Sequence, residues 1–380
     1  MRPTVPRPTA THPAVTRAAV LRDFNAPLEL TEVPLPRELP PGSAIVRITS
    51  TTLCGTDAHL WRGVLPFVRT PIILGHEMAG EVVALGALSG RDAFGKPVEI
   101  GSRVVWSESV CGHCQGCTVL REPVLCDHRG YGFGQRADRW PFAIGGLSEY
   151  AYLPPGADRI VLDPEMPDTW AAAAGCAVKT VVRAFANAGG VEPGSTVAVQ
   201  GSGPLGLVAT AMARAAGAGR VITLGGPPNR LALAAKYGAD ATIDVTDVTD
   251  PDERVAQVEE LTGARGADLV LDFAGAPTAN REGVLMCGKR GTHVVVGLAG
   301  PQAAPVPMDV VMGREITVVG SLNGDVGDLA RALRFLSAFA GRFEWDALFS
   351  PPVGLAGAEQ AIRDMASMAA VKAVVDPGLD

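Results

Sequence analysis

The sequence predicts an α/β protein with two domains, one built on a β-rich barrel and the other on a doubly wound parallel sheet. Its 380 residues are enough for about two domains, since a single domain takes roughly 150 residues. Between residues 17 and 106, short apolar runs are separated by Pro and Gly, which is typical of strands joined by turns. From Ser195 onward, apolar runs alternate with Ala-rich segments of helical spacing, which indicates a parallel sheet covered by helices.

Composition and charge exclude several classes of partner. The formal net charge is −7 and no basic tract compensates for it, so we expect no binding to nucleic acid or membranes. Residues 1–17 are rich in Pro and Thr and lack the apolar core of a signal peptide, which predicts a flexible arm and a cytoplasmic protein. Four of the seven cysteines lie between positions 111 and 126, a pattern typical of metal binding in a reducing compartment.

Two motifs of the β-rich domain carry the first group of metal-binding side chains. Cys54-Gly55-Thr56-Asp57-Ala58-His59 follows a predicted strand at 44–48, and Gly75-His76-Glu77 follows another at 71–74. A thiolate and an imidazole are donors that zinc prefers, and a catalytic zinc needs three protein ligands and one open position. The third ligand is predicted to be Cys176, in Gly175-Cys176-Ala177. Considered singly, Cys54 and His76 could equally be buried structural residues.

Four further cysteines predict a second metal site, after predicted strands at 80–85 and 101–106. Cys111, Cys114 and Cys117 recur at intervals of three, and Cys126 follows nine positions later. Four thiolates complete a tetrahedral zinc site with no open position, which is typical of a structural zinc. The alternative is a set of unligated thiols in an exposed loop.

The segment that leads to the second domain is first rich in Gly and aromatic residues and then rich in Ala. Residues 127–152 contain Tyr131, Phe133, Trp140 and Phe142, and we expect them to pack beside the active site or against a neighbouring lobe. Residues 169–188 have helical spacing, which predicts one helix that carries Cys176 into the second domain.

The second domain contains a glycine motif in the context that dinucleotide binding requires. A buried strand is predicted at 195–200, Gly201-Ser202-Gly203-Pro204-Leu205-Gly206 follows it, and a helix is predicted at 207–216. Gly201 permits the tight turn, Gly203 lets the backbone approach a pyrophosphate, and Gly206 permits close packing of helix on strand. Further strands are predicted at 220–224, 241–245, 267–273, 291–297 and 316–321, with a helix at 229–237.

Together these motifs resemble those of the zinc-dependent medium-chain alcohol dehydrogenases. They occur in that family's order, and the resemblance covers nearly all of the chain from about residue 17. It implies a GroES-like catalytic domain, a Rossmann domain, and hydride transfer between an alcohol (or aldehyde or ketone) and NAD(P). It also implies two zinc ions per chain, one catalytic and one structural, and a homo-oligomer, either a dimer or a tetramer.

The resemblance also implies a division of the chain and roles for single residues. The expected parts are the arm at 1–17, a catalytic domain at 18–177 with a structural zinc lobe near 107–130, a Rossmann domain at 178–320, and a return to the catalytic domain at 321–380. Glu77 resembles the acid that approaches the metal during ligand exchange, and Asp57 the carboxylate that orients the ligand histidine. Thr56 and His59 match the relay that removes the alcohol proton. The predicted cofactor contacts are Gly201, Gly203, Pro204, Leu205, Gly206, Gly225, Arg230, Thr180 and Lys372.

Two features depart from the family pattern. The interval between Cys117 and Cys126 is one residue longer than usual, so the lobe must absorb an insertion. The acid that usually ends the second strand of the Rossmann domain is replaced by Gly225. That acid binds the ribose of NAD and repels the 2′-phosphate of NADP, so its loss predicts that both cofactors are usable. Gly225→Asp is then expected to shift the preference toward NAD.

Several other functions remain open at this point. A polyol- or amino-alcohol-type dehydrogenase of the same fold commonly has Glu where this chain has Cys176. The metal-free quinone or enoyl reductase branch lacks residues that match Cys54 and His76. A thiol–disulfide oxidoreductase would use Cys111 and Cys114, and a non-catalytic NADPH-binding protein would need no intact ligand set.

The substrate is indicated only weakly by the sequence. Trp61, Leu65, Phe67 and Trp106 lie near the metal motifs, which suggests an apolar, cyclic or aromatic alcohol. Packing in the core is the alternative for each of the four.

Overall fold

The strands fall into sheets of two kinds, antiparallel in one part of the chain and parallel in the other. The computed structural model describes residues 12–130, 134–298, 300 and 302–379. Within these residues the chain divides into two units. Unit 1 comprises Met1–Cys176, Asp325–Ser337 and Phe349–Asp380, and unit 2 comprises Ala177–Gly324 and Ala338–Leu348.

The described residues form the following strands and helices, each numbered in chain order. The strands are β1 (Val15–Leu21), β2 (Leu28–Pro34), β3 (Ala44–Thr52), β4 (Ile72–Ile73), β5 (Glu77–Leu85), β6 (Arg103–Trp106), β7 (Tyr150–Leu153), β8 (Arg159–Val161), β9 (Thr196–Gln200), β10 (Arg220–Gly225), β11 (Ala241–Asp244), β12 (Ala267–Asp272), β13 (Cys287–Val295), β14 (Thr317–Gly320) and β15 (Val374–Val375). The helices are α1 (Gly55–Trp61), α2 (Gln115–Thr118), α3 (Asp168–Ala173), α4 (Lys179–Asn187), α5 (Pro204–Ala215), α6 (Pro228–Lys236), α7 (Pro251–Leu261), α8 (Ala279–Met286), α9 (Met308–Gly313), α10 (Val326–Ala338) and α11 (Ala358–Ala366).

Unit 1 is built on antiparallel strands. One sheet has the order β15-β3-β5-β6-β8, with β7 paired to β3, and a smaller sheet has the order β2-β1-β4. Residues of these strands pack into a core that contains Ile45, Ile72 and Tyr152. Strand β3 pairs antiparallel with β5, and Thr52 lies directly opposite Glu77. Because one motif follows β3 and the other begins β5, this register brings the two motifs together.

Unit 2 is a parallel six-stranded sheet with the order β11-β10-β9-β12-β13-β14. All of its strand pairs are parallel, and its central strands are buried on both faces, as in a doubly wound sheet. The predicted α/β fold class is therefore confirmed. The predicted strand at 291–297 begins earlier, at Cys287, because Cys287 pairs with Ala267 before a register shift. Lys289 and Arg290, which are exposed, interrupt the apolar pattern in this part of β13.

Residues 168–187 are helical, as the spacing at 169–188 predicts, but they do not form a regular α-helix throughout. The helix consists of α3, a π-helical turn at Ala174–Val178 and α4. A π-helical turn inserts an extra residue into the helical repeat, and such turns are frequent at functional sites. Here the turn carries Cys176, so the irregularity changes the direction in which this thiol projects.

The remaining expectations of the fold concern the start of the chain and the membrane. Residues 1–11 of the predicted arm lie outside the described residues, and β1 begins at Val15, inside the predicted arm. Among the described residues, no helix combines the length and apolar character that crossing a bilayer requires.

Gly203 and Gly206 provide a test of the strand–helix turn in unit 2. A Cβ on Gly206 would lie 1.7 Å from the carbonyl oxygen of Gly201, whereas a Cβ on Gly203 would meet no atom within 4 Å. We expect Gly206→Ala to lower the free energy of unfolding by about 1–3 kcal/mol, the cost of forcing atoms into a packed site. Gly203→Ala should change it by about 0.5 kcal/mol or less. Urea denaturation of both variants measures the difference, and equal stabilities would contradict the close approach at Gly206.

Candidate metal centres and cofactor site

Four donor side chains converge in unit 1, where β3 ends and β5 begins. Cys54 follows β3, His76 and Glu77 lie at the start of β5, and Cys176 comes from the π-helical turn. Their ligand atoms all lie within 4.8 Å of one another. The structure therefore brings together the three predicted ligands and adds the Glu77 carboxylate to the same group.

Asp57 connects the Cys54 motif and the His76 motif through hydrogen bonds. Its Oδ2 accepts a hydrogen bond from the backbone N–H of Cys54 at 3.0 Å, and its Oδ1 accepts one from the N–H of Gly75 at 3.0 Å. The same Oδ1 lies 3.2 Å from His76 Nδ1. Asp57 is fully buried, so these contacts replace its hydration. With Nδ1 held by the carboxylate, Nε2 of His76 is the nitrogen available to a metal.

The donor set fits zinc in both chemistry and spacing. Zinc–sulfur and zinc–nitrogen bonds of about 2.3 Å and 2.0–2.1 Å place the two ligand atoms of a tetrahedral site about 3.6 Å apart. Cys54 Sγ and His76 Nε2 are 3.4 Å apart. Two thiols and one imidazole leave one position of a tetrahedron open, or available to the Glu77 carboxylate.

Glu77 is held by a buried network that the sequence did not reveal. Its Oε2 lies 2.5 Å from Nζ of Lys372 and accepts a short hydrogen bond from the Thr52 hydroxyl. Both Glu77 and Lys372 are almost completely buried. Burial raises the pKa of the Glu77 carboxyl to about 7, although the charge of Lys372 opposes that rise. The ammonium group also donates a hydrogen bond to the carbonyl of Leu53 at 3.3 Å.

The four lobe cysteines form a second donor group. The Sγ atoms of Cys111, Cys114, Cys117 and Cys126 all lie within 4.8 Å of one another, and those of Cys111 and Cys126 are 3.6 Å apart. Two sulfur ligands of a tetrahedral zinc are about 3.8 Å apart, whereas a disulfide bond is about 2.05 Å long. The Asp127 N–H lowers the pKa of Cys114 to about 6, which favours the thiolate. The longer interval before Cys126 therefore does not keep it from the cluster.

A cavity of about 150 Å³ in unit 1 has the ring of His76 in its wall. Its other lining residues include Met78, Trp106, Trp140, Ile144 and Tyr152. Trp106 thus lies where the sequence suggested, and Trp140 belongs to the aromatic segment expected beside the active site. Within that segment, Tyr131 and Phe133 lie outside the described residues.

The other apolar residues suggested near the metal motifs do not line this cavity. Trp61 is buried and Leu65 partly buried in the core of unit 1, and Phe67 is exposed. The packing alternative therefore holds for Trp61 and Leu65. In the predicted relay, Thr56 and His59 both lie on α1 and are three residues apart. Thr56 is half-buried and His59 is exposed to solvent.

In unit 2, a second cavity of about 220 Å³ lies at the carboxyl ends of the central strands. It is lined by residues that include Gln200, Gly201, Leu224 and Gly225. Gly201 has φ of 108°, a left-handed conformation that glycine adopts without strain, so it forms the tight turn. The first N–H groups of α5 follow that turn, as in sites for phosphate groups.

The effect of Gly225→Asp on cofactor preference stays a prediction, but the structure shows a steric obstacle to any side chain at this position. A Cβ on Gly225 would lie 2.3 Å from Oγ and 2.6 Å from the backbone nitrogen of Ser202. Ser202 Oγ also accepts a hydrogen bond from the Gly226 N–H at 2.9 Å and donates one to the Gly226 carbonyl at 3.0 Å. Any side chain at 225 would therefore displace the glycine turn itself.

The other predicted cofactor contacts differ in their surroundings. Pro204 and Leu205 begin α5 directly after the glycine turn. Thr180 lies buried on α4, and Arg230 is buried on α6, where desolvation lowers its pKa. Lys372 contacts Glu77, as described above. Contacts of Thr180, Arg230 and Lys372 with a cofactor remain predictions.

Comparisons with known proteins agree with both units. The family model described as alcohol dehydrogenase GroES-like domain matches residues 40–165, and the one described as zinc-binding dehydrogenase matches residues 204–338. The 5-exo-hydroxycamphor dehydrogenase of Pseudomonas putida is 34% identical over 96% of this chain and 99% of its own length. The chain belongs to the zinc-dependent medium-chain dehydrogenase family. The resemblance found in the motifs is confirmed, and the protein is an oxidoreductase of the alcohol dehydrogenase type.

Other members of the family match this medium-chain dehydrogenase over nearly its full length. The L-threonine 3-dehydrogenase of Streptomyces avermitilis is 30% identical over 95% of this chain and 99% of its own. The alcohol dehydrogenase structure from Thermotoga maritima has a TM-score of 0.87 and 34% identity, over 95% of this chain and 99% of that one. A zinc-binding dehydrogenase structure from Sinorhizobium meliloti, bound to NADP, has a TM-score of 0.80 and 27% identity, over 96% and 100%.

The buried pair of Glu77 and Lys372 can be tested by stability. Lys372→Met should lower the free energy of unfolding by about 3–5 kcal/mol, because it leaves the Glu77 carboxylate buried without its partner. Arg22→Met is the control, since Arg22 makes a comparable ion pair with Glu29 in solvent, and we expect no measurable change. Chemical denaturation checks both variants, and a Lys372 variant as stable as the control would show that the pair contributes nothing.

Proposed function

We propose that this dehydrogenase oxidises alcohols, or reduces the matching carbonyl compounds, with a catalytic zinc and a nicotinamide cofactor. The observation that carries the proposal is the convergence of Cys54, His76 and Cys176 beside a cavity that has His76 in its wall. These three residues would hold the catalytic zinc, with Glu77 close enough to replace a departing ligand. When bound, the zinc supplies a Lewis acid that lowers the pKa of an alcohol, and the nicotinamide accepts a hydride.

The protein's own side chains have distinct parts in this reaction. Asp57 holds the His76 ring in the tautomer that presents Nε2 to the metal. Thr56 follows Cys54 directly, and its hydroxyl is the proposed first acceptor of the substrate proton. His59 lies one turn further along α1 and is exposed, so it would pass that proton to solvent.

The lobe cysteines are proposed to hold the structural zinc, which makes two zinc ions per chain. Four thiolates leave no position for a substrate, so this metal would stabilise the fold rather than take part in the reaction. The same arrangement argues against a thiol–disulfide oxidoreductase, because Cys111 and Cys114 share one cluster with two further cysteines. With a metal bound to all four thiolates, the cluster would leave no free pair of thiols for exchange.

The cofactor is proposed to be NAD or NADP, both usable. Gly225 places no carboxylate at the end of β10, and the Sinorhizobium meliloti relative is described as bound to NADP. A carboxylate does lie nearby on the neighbouring strand. Asp244 Oδ1 would be 3.3 Å from a Cβ on Gly226, and it accepts hydrogen bonds from the N–H and hydroxyl of Thr246. Asp244 is the residue that sequence spacing missed, since it ends β11 rather than β10.

The names of the relatives span different classes of substrate. One is a dehydrogenase of a hydroxycamphor and another of L-threonine. An amino-alcohol- or polyol-type dehydrogenase is therefore the second candidate, and Cys176 in place of Glu argues against it.

The protein is also proposed to be cytoplasmic and homo-oligomeric. Strand β14 lies at the edge of the parallel sheet, where its backbone groups are open to pairing. The preceding helix α9 has no buried residue and exposes Met308 and Met312. Two copies related by a two-fold axis could pair along this edge. Analytical ultracentrifugation would show a monomer if this surface is not an interface.

Metal content distinguishes the two proposed zinc sites. His76→Ala should lose about one zinc per chain and all alcohol oxidation while the protein stays folded, because three ligands become two. Cys114→Ser should lose the other zinc and lower the melting temperature, because a closed site contributes to folding. Elemental analysis, circular dichroism and an oxidation assay measure all three properties. A His76 variant that keeps two zinc ions and full activity would remove His76 from the metal.

Cofactor preference is expected to depend on Asp244. Asp244→Asn removes a negative charge beside the end of β10 and keeps the acceptor for Thr246, so kcat/KM for NADP relative to NAD should rise about tenfold. Asp268→Asn is the control, because Asp268 also accepts a backbone hydrogen bond but lies at the opposite, amino-terminal edge of the sheet. An unchanged ratio in the Asp244 variant would mean that other contacts discriminate between the cofactors.

A further inference from the structure

The wall of the cavity beside His76 is mainly aromatic and apolar, although it also contains polar residues. Met78 and Tyr152 are buried, Trp106 and Ile144 are partly buried, and Trp140 lies at the rim, 58% exposed. The rings of Trp140 and Tyr152 are 5.8 Å apart at an angle of 58°, a tilted arrangement typical of packed aromatic pairs. Flat aromatic walls with a flexible Met offer broad apolar contact.

The size of this cavity limits what can lie in it. Its volume is about 150 Å³, whereas pockets for drug-sized ligands are about 300–1,000 Å³. An apolar cavity of about 150 Å³ in another protein binds benzene. A group the size of one six-membered ring therefore matches the inner space of this open cavity beside His76.

The carboxylate among the lining residues, that of Glu108, is already paired with a cation. Glu108 lies 3.0 Å from Arg129, and both side chains are largely buried. A substrate ammonium group would have to compete with this guanidinium, which presents a geometry that matches a carboxylate. The cavity therefore offers no unpaired carboxylate to a charged amino alcohol, and its polar lining is limited to Ser107, Ser109 and Gln135 beside this ion pair.

We infer that the substrate is a neutral, compact cyclic alcohol, whose ring lies against Trp106 and Trp140 while its hydroxyl faces His76. The inference rests on the proposed function and adds the substrate class. Trp106 would form the inner wall and Trp140 the outer one. A ring is preferred to an open chain of the same composition because the ring has fewer torsions to immobilise against these walls.

The test compares two alcohols with six carbons, and L-threonine as a charged amino alcohol, on the zinc-loaded, full-length enzyme. Cyclohexanol and 2-hexanol are both secondary alcohols, so they differ mainly in ring closure. We expect kcat/KM to be about tenfold higher for cyclohexanol, and L-threonine to be the poorest of the three. Equal values for cyclohexanol and 2-hexanol would overturn the preference for a ring. A higher value for L-threonine would overturn the preference for a neutral substrate.

Variants locate the preference in the two tryptophans. Trp140→Ala should raise KM for cyclohexanol about tenfold and raise KM for 2-propanol by a clearly smaller factor, because the larger substrate makes more contact with the rim. Phe94→Ala is the matched control, since Phe94 is similarly exposed, lies in unit 1 and does not line the cavity. Trp106→Phe is a second variant, and its smaller ring should also weaken cyclohexanol. Equal losses for both substrates in either tryptophan variant would contradict ring recognition.

Failure of this inference can be distinguished from failure of the proposed function. An enzyme that oxidises 2-hexanol or L-threonine best, with loss of activity in the His76 variant, keeps the proposed function and rejects the cyclic substrate. An enzyme that oxidises none of the alcohols with NAD or NADP, although it contains two zinc ions, rejects both.

Discussion

The carboxylate of Asp57 is the contact on which the metal centre depends. It accepts hydrogen bonds from the backbone on both sides of the centre, at Cys54 and at Gly75, and it faces the ring of His76. Burial of a carboxylate is unfavourable unless both of its oxygens accept hydrogen bonds. The two motifs and the ring of His76 must therefore be positioned together around Asp57. The pairing of β3 with β5 supplies the approximate position, and Asp57 then determines which nitrogen of His76 is presented.

The extent to which the sequence predicts this protein follows from the range of each interaction. The metal ligands and the glycine motif could be predicted from the sequence because their spacing reflects local chemistry. The structure brings the predicted donors together. The π-helical turn at Cys176 could not be predicted, because one extra residue in a helical repeat does not change the pattern of an Ala-rich sequence. The contact of Lys372 with Glu77 was missed because it joins opposite ends of the chain. The carbonyl of Leu53, which Lys372 also contacts, is 319 positions away in sequence.

Gly225 illustrates a different limit of sequence reasoning. The absence of an acid at that position is plain from the sequence, but its physical reason is a steric contact with a residue distant in sequence. Ser202 is hydrogen-bonded to Gly226 and fills the place that a side chain at 225 would need. The two loops are thus matched to each other, and the nearest replacement for the missing charge, Asp244, comes from the next strand. A change at one loop must be accompanied by a change at the other.

The point at which the chain passes from unit 1 to unit 2 has a consequence for how such proteins diversify. Cys176 is the last residue of the first segment of unit 1, and Cys54, His76, Glu77 and Lys372 all belong to the same unit. Every candidate donor of the catalytic metal, together with its buried support, is therefore encoded outside unit 2. The main segment of unit 2, Ala177–Gly324, could be exchanged by recombination without altering any donor or Lys372, so new cofactor preferences could be acquired while the metal chemistry is inherited intact.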